Sequence, residues 1–328
     1  MTIPLLDRKA YVTLLTNEKY LAGLLLLDDT MKRVKTRYPL VVLTTPSFPD
    51  EHLALLATLG IQTRRTQLLE PKGDIKYIAE RFRDTWSKLQ AFALTDFERV
   101  VLLDCDMTIF RNIDNLLDDE KILPSNEWIA ANHSCICNPL KQDFYEPDCC
   151  RENCGYTYAE THGAPPPSST FNTKRTYTLL NSGLVVLSPS QAIYDRIIDF
   201  LYNSPKVATM ALPDQDLLGE VFLGKWEPLS WRYNAIKTLR WDILHPKLWF
   251  DEQGREGRDR PEEERLAVLH YIVEKPWLEL LPSDHRDAET HRWWWADWRQ
   301  MMARWAEDEE LSGYVKRVEG LVVKGTQE

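Results

Sequence analysis

Much that would betray other classes of protein is missing from this 328-residue chain. No apolar run approaches the roughly 20 residues that cross a membrane; Leu24 to Leu27 is typical of what is found. There is no Lys/Arg run, and 40 basic against 50 acidic side chains leave a formal charge of −10. An acidic surface repels phosphate backbones, which excludes nucleic acid as a partner. The N-terminal MTIPLLDRKAYVTLL carries charges where a secretory leader needs its apolar core, so a cytoplasmic protein without a transmembrane segment is expected. Cysteine is scarce, and five of the six crowd into residues 135–154, whereas a secreted disulfide scaffold would spread them. No internal repeat is present. What remains is an ordinary globular composition, 44% hydrophobic and 27% charged, long enough for a full core.

Patterning then sets the fold class. Ala10–Leu15, Leu40–Thr44, Ile61–Gln67 and Arg99–Leu103 read as strands, and Glu18 to Val34, Pro49–Leu59 and Thr85–Leu94 as the helices between them. Continuous apolar strands alternating with helices predict an α/β protein, its mostly parallel sheet covered on both faces. After Ile129–Ala131 the pattern dissolves into a cysteine-rich insertion at about 133–176, and it resumes with LLNSGLVVLSPS and the helix Gln191–Tyr202. Leu266–His270 is a later strand. Trp294, Trp298, Met301 and Trp305 fall on one helical stripe, which predicts a C-terminal Trp-rich helix docked on the core. The expected division is a catalytic domain over 1–280 and a helical extension over 281–328.

Ligands of such sheets bind at the carboxyl ends of the strands, and there VVLL runs into Asp104-Cys105-Asp106. Two carboxylates at that spacing serve either a dehalogenase-type phosphatase, with Asp104 as nucleophile, or a transferase that holds a metal on a diphosphate. The segment VLHYIVEKPW favours the second. Carboxylates supply hard oxygen ligands, His270 can complete the shell of a Mn²⁺-like ion, and Lys275 can reach a departing phosphate.

With AYVTLLTNEKYLAGLLLL, WSKLQAFALTDFERVVLLDCDMTIF, LLNSGLVVLSPS, PDQDLL, WRYNA and HYIVEKPW in order, residues 9 to 277 resemble glycosyltransferase family 8, which contains glycogenin and galactinol synthase. The resemblance implies a GT-A (Rossmann-like) fold, a UDP-sugar donor, Mn²⁺ (or Mg²⁺), a hydroxyl acceptor and retention at the anomeric carbon. It implies that Leu14, Thr16, Asn17 and Tyr20 hold the uridine, with Lys88 and Cys105 near the donor. Asp104, Asp106 and His270 become metal ligands, and Lys275 the diphosphate contact. Asn181, Asp214 and Gln215 line the donor sugar and reacting face. Glucose and galactose, and monomer and homodimer, stay open.

The chain departs from the family pattern in three places. His270 and Lys275 are closer together than usual, without the intervening glycine. Ala211 stands where glycogenin has an acidic residue, which argues against self-glucosylation of the glycogenin type. The insertion, with His133, Cys135, Cys137, Cys149, Cys150 and Cys154, has no counterpart in those relatives; its spacing does not match paired CxxC zinc layouts, and reduced, partly buried thiols are expected ahead of the two alternatives, a zinc site stapling the loop and a local disulfide in an oxidising compartment.

Overall fold

A computed structural model describes residues 8–324 except Asp74; the residues on which the leader argument partly rests, 1–7, lie outside it. The apolar runs form strands β1 (Lys9–Leu15), β2 (Leu40–Thr44), β3 (Gln62–Arg65), β4 (Arg99–Leu103), β5 (Met107–Ile109), β6 (Ile129–His133), β7 (Leu180–Leu187), β8 (Trp226–Pro228), β9 (Ala235–Ile236) and β10 (Val268–His270). Seven of them build one sheet in the order β3-β2-β1-β4-β7-β6-β8. The pairs β1–β2, β1–β4, β2–β3 and β6–β8 are parallel, whereas β7 runs antiparallel to both β4 and β6. A small second sheet, β5-β10-β9, sits beside the first.

Burial on both faces explains the unbroken apolar strands: every residue of β2 is buried, as are the last four of β4. One face is covered by the helix Leu21–Arg33, whose buried side includes Leu21, Leu24, Leu25 and Met31. The other is covered by the 3-10 segment Glu80–Ala93 and the helices Gln191–Asn203 and Pro213–Val221.

The chain leaves β1 towards β2 on one side and meets β4 on the other. This is a topological switch point, where a crevice opens beyond the strand ends. Their registers end together, with Thr13 opposite Leu103, so residues 14–20 and 104–106 emerge side by side.

Three expectations change in detail. The first helix begins as a 3-10 turn, Glu18–Tyr20, because Asn17 caps it by accepting the Lys19 N–H at 3.1 Å. The expected helix Thr85–Leu94 is a longer 3-10 segment starting at Glu80. The insertion contains a helix, Gly155–His162, ended by Gly163 in the left-handed region at φ 71°. The tryptophan stripe lies on the helix Ala288–Glu307 with Trp294, Trp298, Met301 and Trp305 all buried. Trp294 stacks on Trp298, their centroids 5.0 Å apart, and Arg33 ties the same helix down through Asp297 at 2.7 Å.

Candidate active site

Backbone hydrogen bonds clamp Asp104-Cys105-Asp106 between the two sheets. The Asp104 N–H donates to the Gly183 carbonyl of β7, and the Tyr271 N–H donates to the Asp106 carbonyl, both at 2.9 Å. The antiparallel register of β5 and β10 sets His270 opposite Met107, which brings its imidazole beside Asp106. His270 Nε2 lies 3.2 Å from Asp106 Oδ1 and 3.6 Å from Asp104 Oδ2.

An amide relay fixes that ring. Asn234 donates its Nδ2 to Asn181 Oδ1 at 2.6 Å, so its own Oδ1 faces His270 Nδ1 at 2.9 Å. Asn181 Oδ1 also accepts the Gly183 N–H at 3.0 Å, and its Nδ2 donates to Gln215 Oε1 at 3.1 Å. The network therefore assigns the imidazole proton to Nδ1 and turns the Nε2 lone pair towards two carboxylates. Three acceptor groups facing one another call for a cation between them. Their ligand atoms lie within 4.8 Å of one another, and two hard oxygens with an imidazole nitrogen fit a divalent ion of the Mn²⁺ or Mg²⁺ type.

Two lysines flank the trio. The Lys275 ammonium pairs with Asp106 and donates to the Tyr271 carbonyl at 2.7 Å. Lys88 bridges Asp104 at 2.8 Å and Asp214 at 2.7 Å. Burial works against the Lys88 charge, but the two carboxylates outweigh it and hold the ammonium above the ordinary lysine range. Burial likewise pushes Asp106 up, yet the Lys275 ammonium wins and holds it well below the usual carboxylate range. Three carboxylates against two ammoniums leave one negative charge unmatched, and a divalent ion would reverse that sign for an incoming diphosphate.

Every candidate named from the sequence lines one cavity of about 400 Å³. Leu14, Thr16, Asn17 and Tyr20 form the edge beyond β1, with the Tyr20 ring edge-on to Trp277 at 6.1 Å. Asn181, Asp214 and Gln215 form the opposite wall. Cys105 lines the floor, where burial pushes its thiol well above the usual range and leaves it uncharged.

The shortened His-to-Lys segment still delivers Lys275, because Val273 adopts φ 64° in the region that favours glycine. Sequence reading marks the WRYNA segment but gives Asn234 no role, and it misses the cavity wall built by Leu140, Phe144 and Tyr145 of the insertion. Asn234 could have been sought as the polar residue before β9; the insertion offers no periodicity to read. His133 is not grouped with the cysteines as a metal ligand; its Nε2 faces the Pro166 carbonyl at 3.1 Å.

Residues 11–280 match the family described as Glycosyl transferase family 8. The chain belongs to glycosyltransferase family 8. Among curated family members it is similar to galactinol synthase 4 of Arabidopsis thaliana, with 27% identity over 88% of this chain and 80% of that one. It is also similar to galactinol synthase 1 of Solanum lycopersicum, at 28% over 87% and 80%. The fold matches the solved glycosyltransferase GlyE of Streptococcus pneumoniae with a TM-score of 0.54 and 16% identity, covering 97% of this chain and 66% of that one. The family 8 chain is thus a glycosyltransferase of the GT-A fold, and the phosphatase alternative falls away. None of its described helices is long and apolar enough to cross a membrane.

Proposed function

We propose that the cleft transfers a hexose, glucose or galactose, from a UDP-sugar to a hydroxyl of a small-molecule or glycan acceptor, with retention at the anomeric carbon. The observation that carries this reading is the Nε2 of His270 facing Asp104 and Asp106 between two lysines. That arrangement holds a divalent ion and a diphosphate together.

When bound, the ion supplies Lewis-acid charge to the diphosphate. The chain's own groups do the rest. Leu14, Thr16 and Asn17 seat the uridine and Tyr20 offers its ring to the base. Lys275 meets the charge that grows on the departing UDP, and Asn181 and Gln215 orient the donor sugar. Asp214 is committed to Lys88, which blunts it as a covalent nucleophile and leaves it to stabilise an oxocarbenium-like centre. Retention then follows from front-face attack by the acceptor hydroxyl. The relatives' name, galactinol synthase, favours a small-molecule acceptor, in keeping with Ala211.

Incubation with UDP-glucose or UDP-galactose and Mn²⁺ tests the reading. Slow release of UDP and free sugar without acceptor is expected, and chelator abolishes it. Inertness towards every UDP-sugar, or equal turnover in chelator, contradicts it.

A further inference from the structure

Beyond the catalytic cleft, the insertion gathers a second set of ligand atoms. Cys135 and Cys137 leave the end of β6, Cys154 precedes the helix Gly155–His162, and His245 arrives from about ninety residues further on. Their three sulfurs and one imidazole nitrogen lie within 4.8 Å of one another. His245 Nε2 is 3.2 Å from Cys137 Sγ and 3.6 Å from Cys154 Sγ. His245 and Cys154 are buried, with exposures of 0% and 1%. Cys149, Cys150 and His133 are not part of the set.

We propose that these four side chains form a structural zinc site. Zinc–sulfur bonds of about 2.3 Å and zinc–nitrogen bonds of about 2.0–2.1 Å put tetrahedral ligand atoms roughly 3.5–3.8 Å apart, close to the spacings seen here. Three thiols and one imidazole are a soft, complete ligand set with no position left for water, which marks a structural rather than a catalytic centre. An odd number of sulfurs cannot all be paired as disulfides. The opposite side of the imidazole is also supported: His245 Nδ1 lies 3.5 Å from Glu160 Oε2, and Arg151 donates to that same oxygen at 2.8 Å. A carboxylate behind the ligating histidine fixes its tautomer and raises its donor strength.

The site has consequences for the cleft. Cys135 itself lines the cavity, and the loop between Cys137 and Cys154 carries Leu140, Phe144 and Tyr145 to its wall. From a later segment of the chain come Trp241 and Leu244, just ahead of His245. The metal would staple these two wall segments together, replacing the secondary structure that the insertion mostly lacks. It does not depend on the identity of the donor or acceptor.

The test is metal content. Protein purified under reducing conditions should carry about one zinc per chain, resistant to dialysis against EDTA and released by a mercurial that titrates thiols. Cys137→Ser and His245→Gln should lose most of that zinc, while Cys149→Ser and Asp106→Asn retain it. If the ligand variants do not fold, wild-type protein stripped of metal and titrated with Co²⁺ should develop the intense visible bands and sulfur-to-cobalt charge transfer of a tetrahedral thiolate site. Absence of those bands, zinc unaffected by the ligand substitutions, or a disulfide between two of the three cysteines overturns the proposal.

Discussion

Gly183 and His270 are locked together by the absence of a methyl group. A Cβ on Gly183 would lie 2.6 Å from His270 Cε1 and 2.7 Å from its Nδ1. Real Cβ atoms do not approach so closely, so this glycine is required by space rather than by backbone conformation. Gly183→Ala should push the ring off Asn234 and misdirect Nε2. Losing such a support typically costs about 10–100-fold in metal affinity. Mn²⁺ binding followed by calorimetry should show that loss while the melting temperature in chelator changes little. Unaltered Mn²⁺ affinity would mean the ring is free to adjust.

How much of this was legible beforehand depends on what each residue reports. Apolar strands carry their burial in their composition, so β1, β2, β4 and β7 and the parallel sheet were readable. Asp104, Asp106, His270 and Lys275 were readable because chemistry-bearing residues stand at strand ends in a known order. Asn234 and Gly183 were not, since one acts through a histidine 36 residues away and the other through a missing atom. His245 was equally silent: a single histidine reveals nothing until the fold lays it against Cys137 and Cys154.

Removal of a proposed metal ligand should be visible without catalysis. UDP present at ~100 times its dissociation constant stabilises a protein by about 2.7 kcal/mol. With Mn²⁺ the wild type should show an upward melting shift of that order, and Asp106→Asn should show almost none. A UDP shift of equal size in chelator would remove Asp104, Asp106 and His270 from the diphosphate site.

Lys275 is buried against Asp106, so its substitution tests two roles at once. If it meets the departing diphosphate, Lys275→Ala should lower kcat on the order of 10²-fold or more, with KM for the donor changed much less. Lys275→Arg should rescue incompletely, because a planar fork replaces a compact charge. A purely structural lysine predicts a lower melting temperature but near-normal kcat in the folded fraction.

Val273 offers a prediction of opposite sign. Left-handed backbone costs a side-chain-bearing residue about 1–2 kcal/mol, and Val273 sits there at φ 64°. Glycine removes that strain but adds about 0.5–1 kcal/mol of unfolded-state freedom. Val273→Gly should therefore leave stability unchanged or raise it by up to about 1.5 kcal/mol. A clear drop in chemical-denaturation stability would show that the lost side-chain packing outweighs the relieved strain.

The last prediction concerns pH and the C-terminal helix. His291 on that helix is fully buried and accepts the Lys237 ammonium at Nε2, 3.1 Å away. Lys237 also meets Asp287 at 3.0 Å and the carbonyl of Glu274, the residue before Lys275, at 2.9 Å. Burial first, and then the positive charges of Lys237, His285 and Lys275, push the imidazole down to about 3. In the unfolded chain it titrates near 6.5. Between these values the unfolded state binds the extra proton, so stability is complete above pH ~6.5 and is lost as pH falls towards 3. The slope from one such group is about 1.4 kcal/mol per pH unit. His291→Leu keeps an apolar filling, removes the titration, and leaves Lys237 its two acidic neighbours. Denaturation curves between pH 6 and 5 should therefore flatten by roughly that slope in the variant. Parallel curves would mean that His291 protonates without unfolding the helix from the sheet, and that the link from this helix to Lys275 is weaker than its hydrogen bonds suggest.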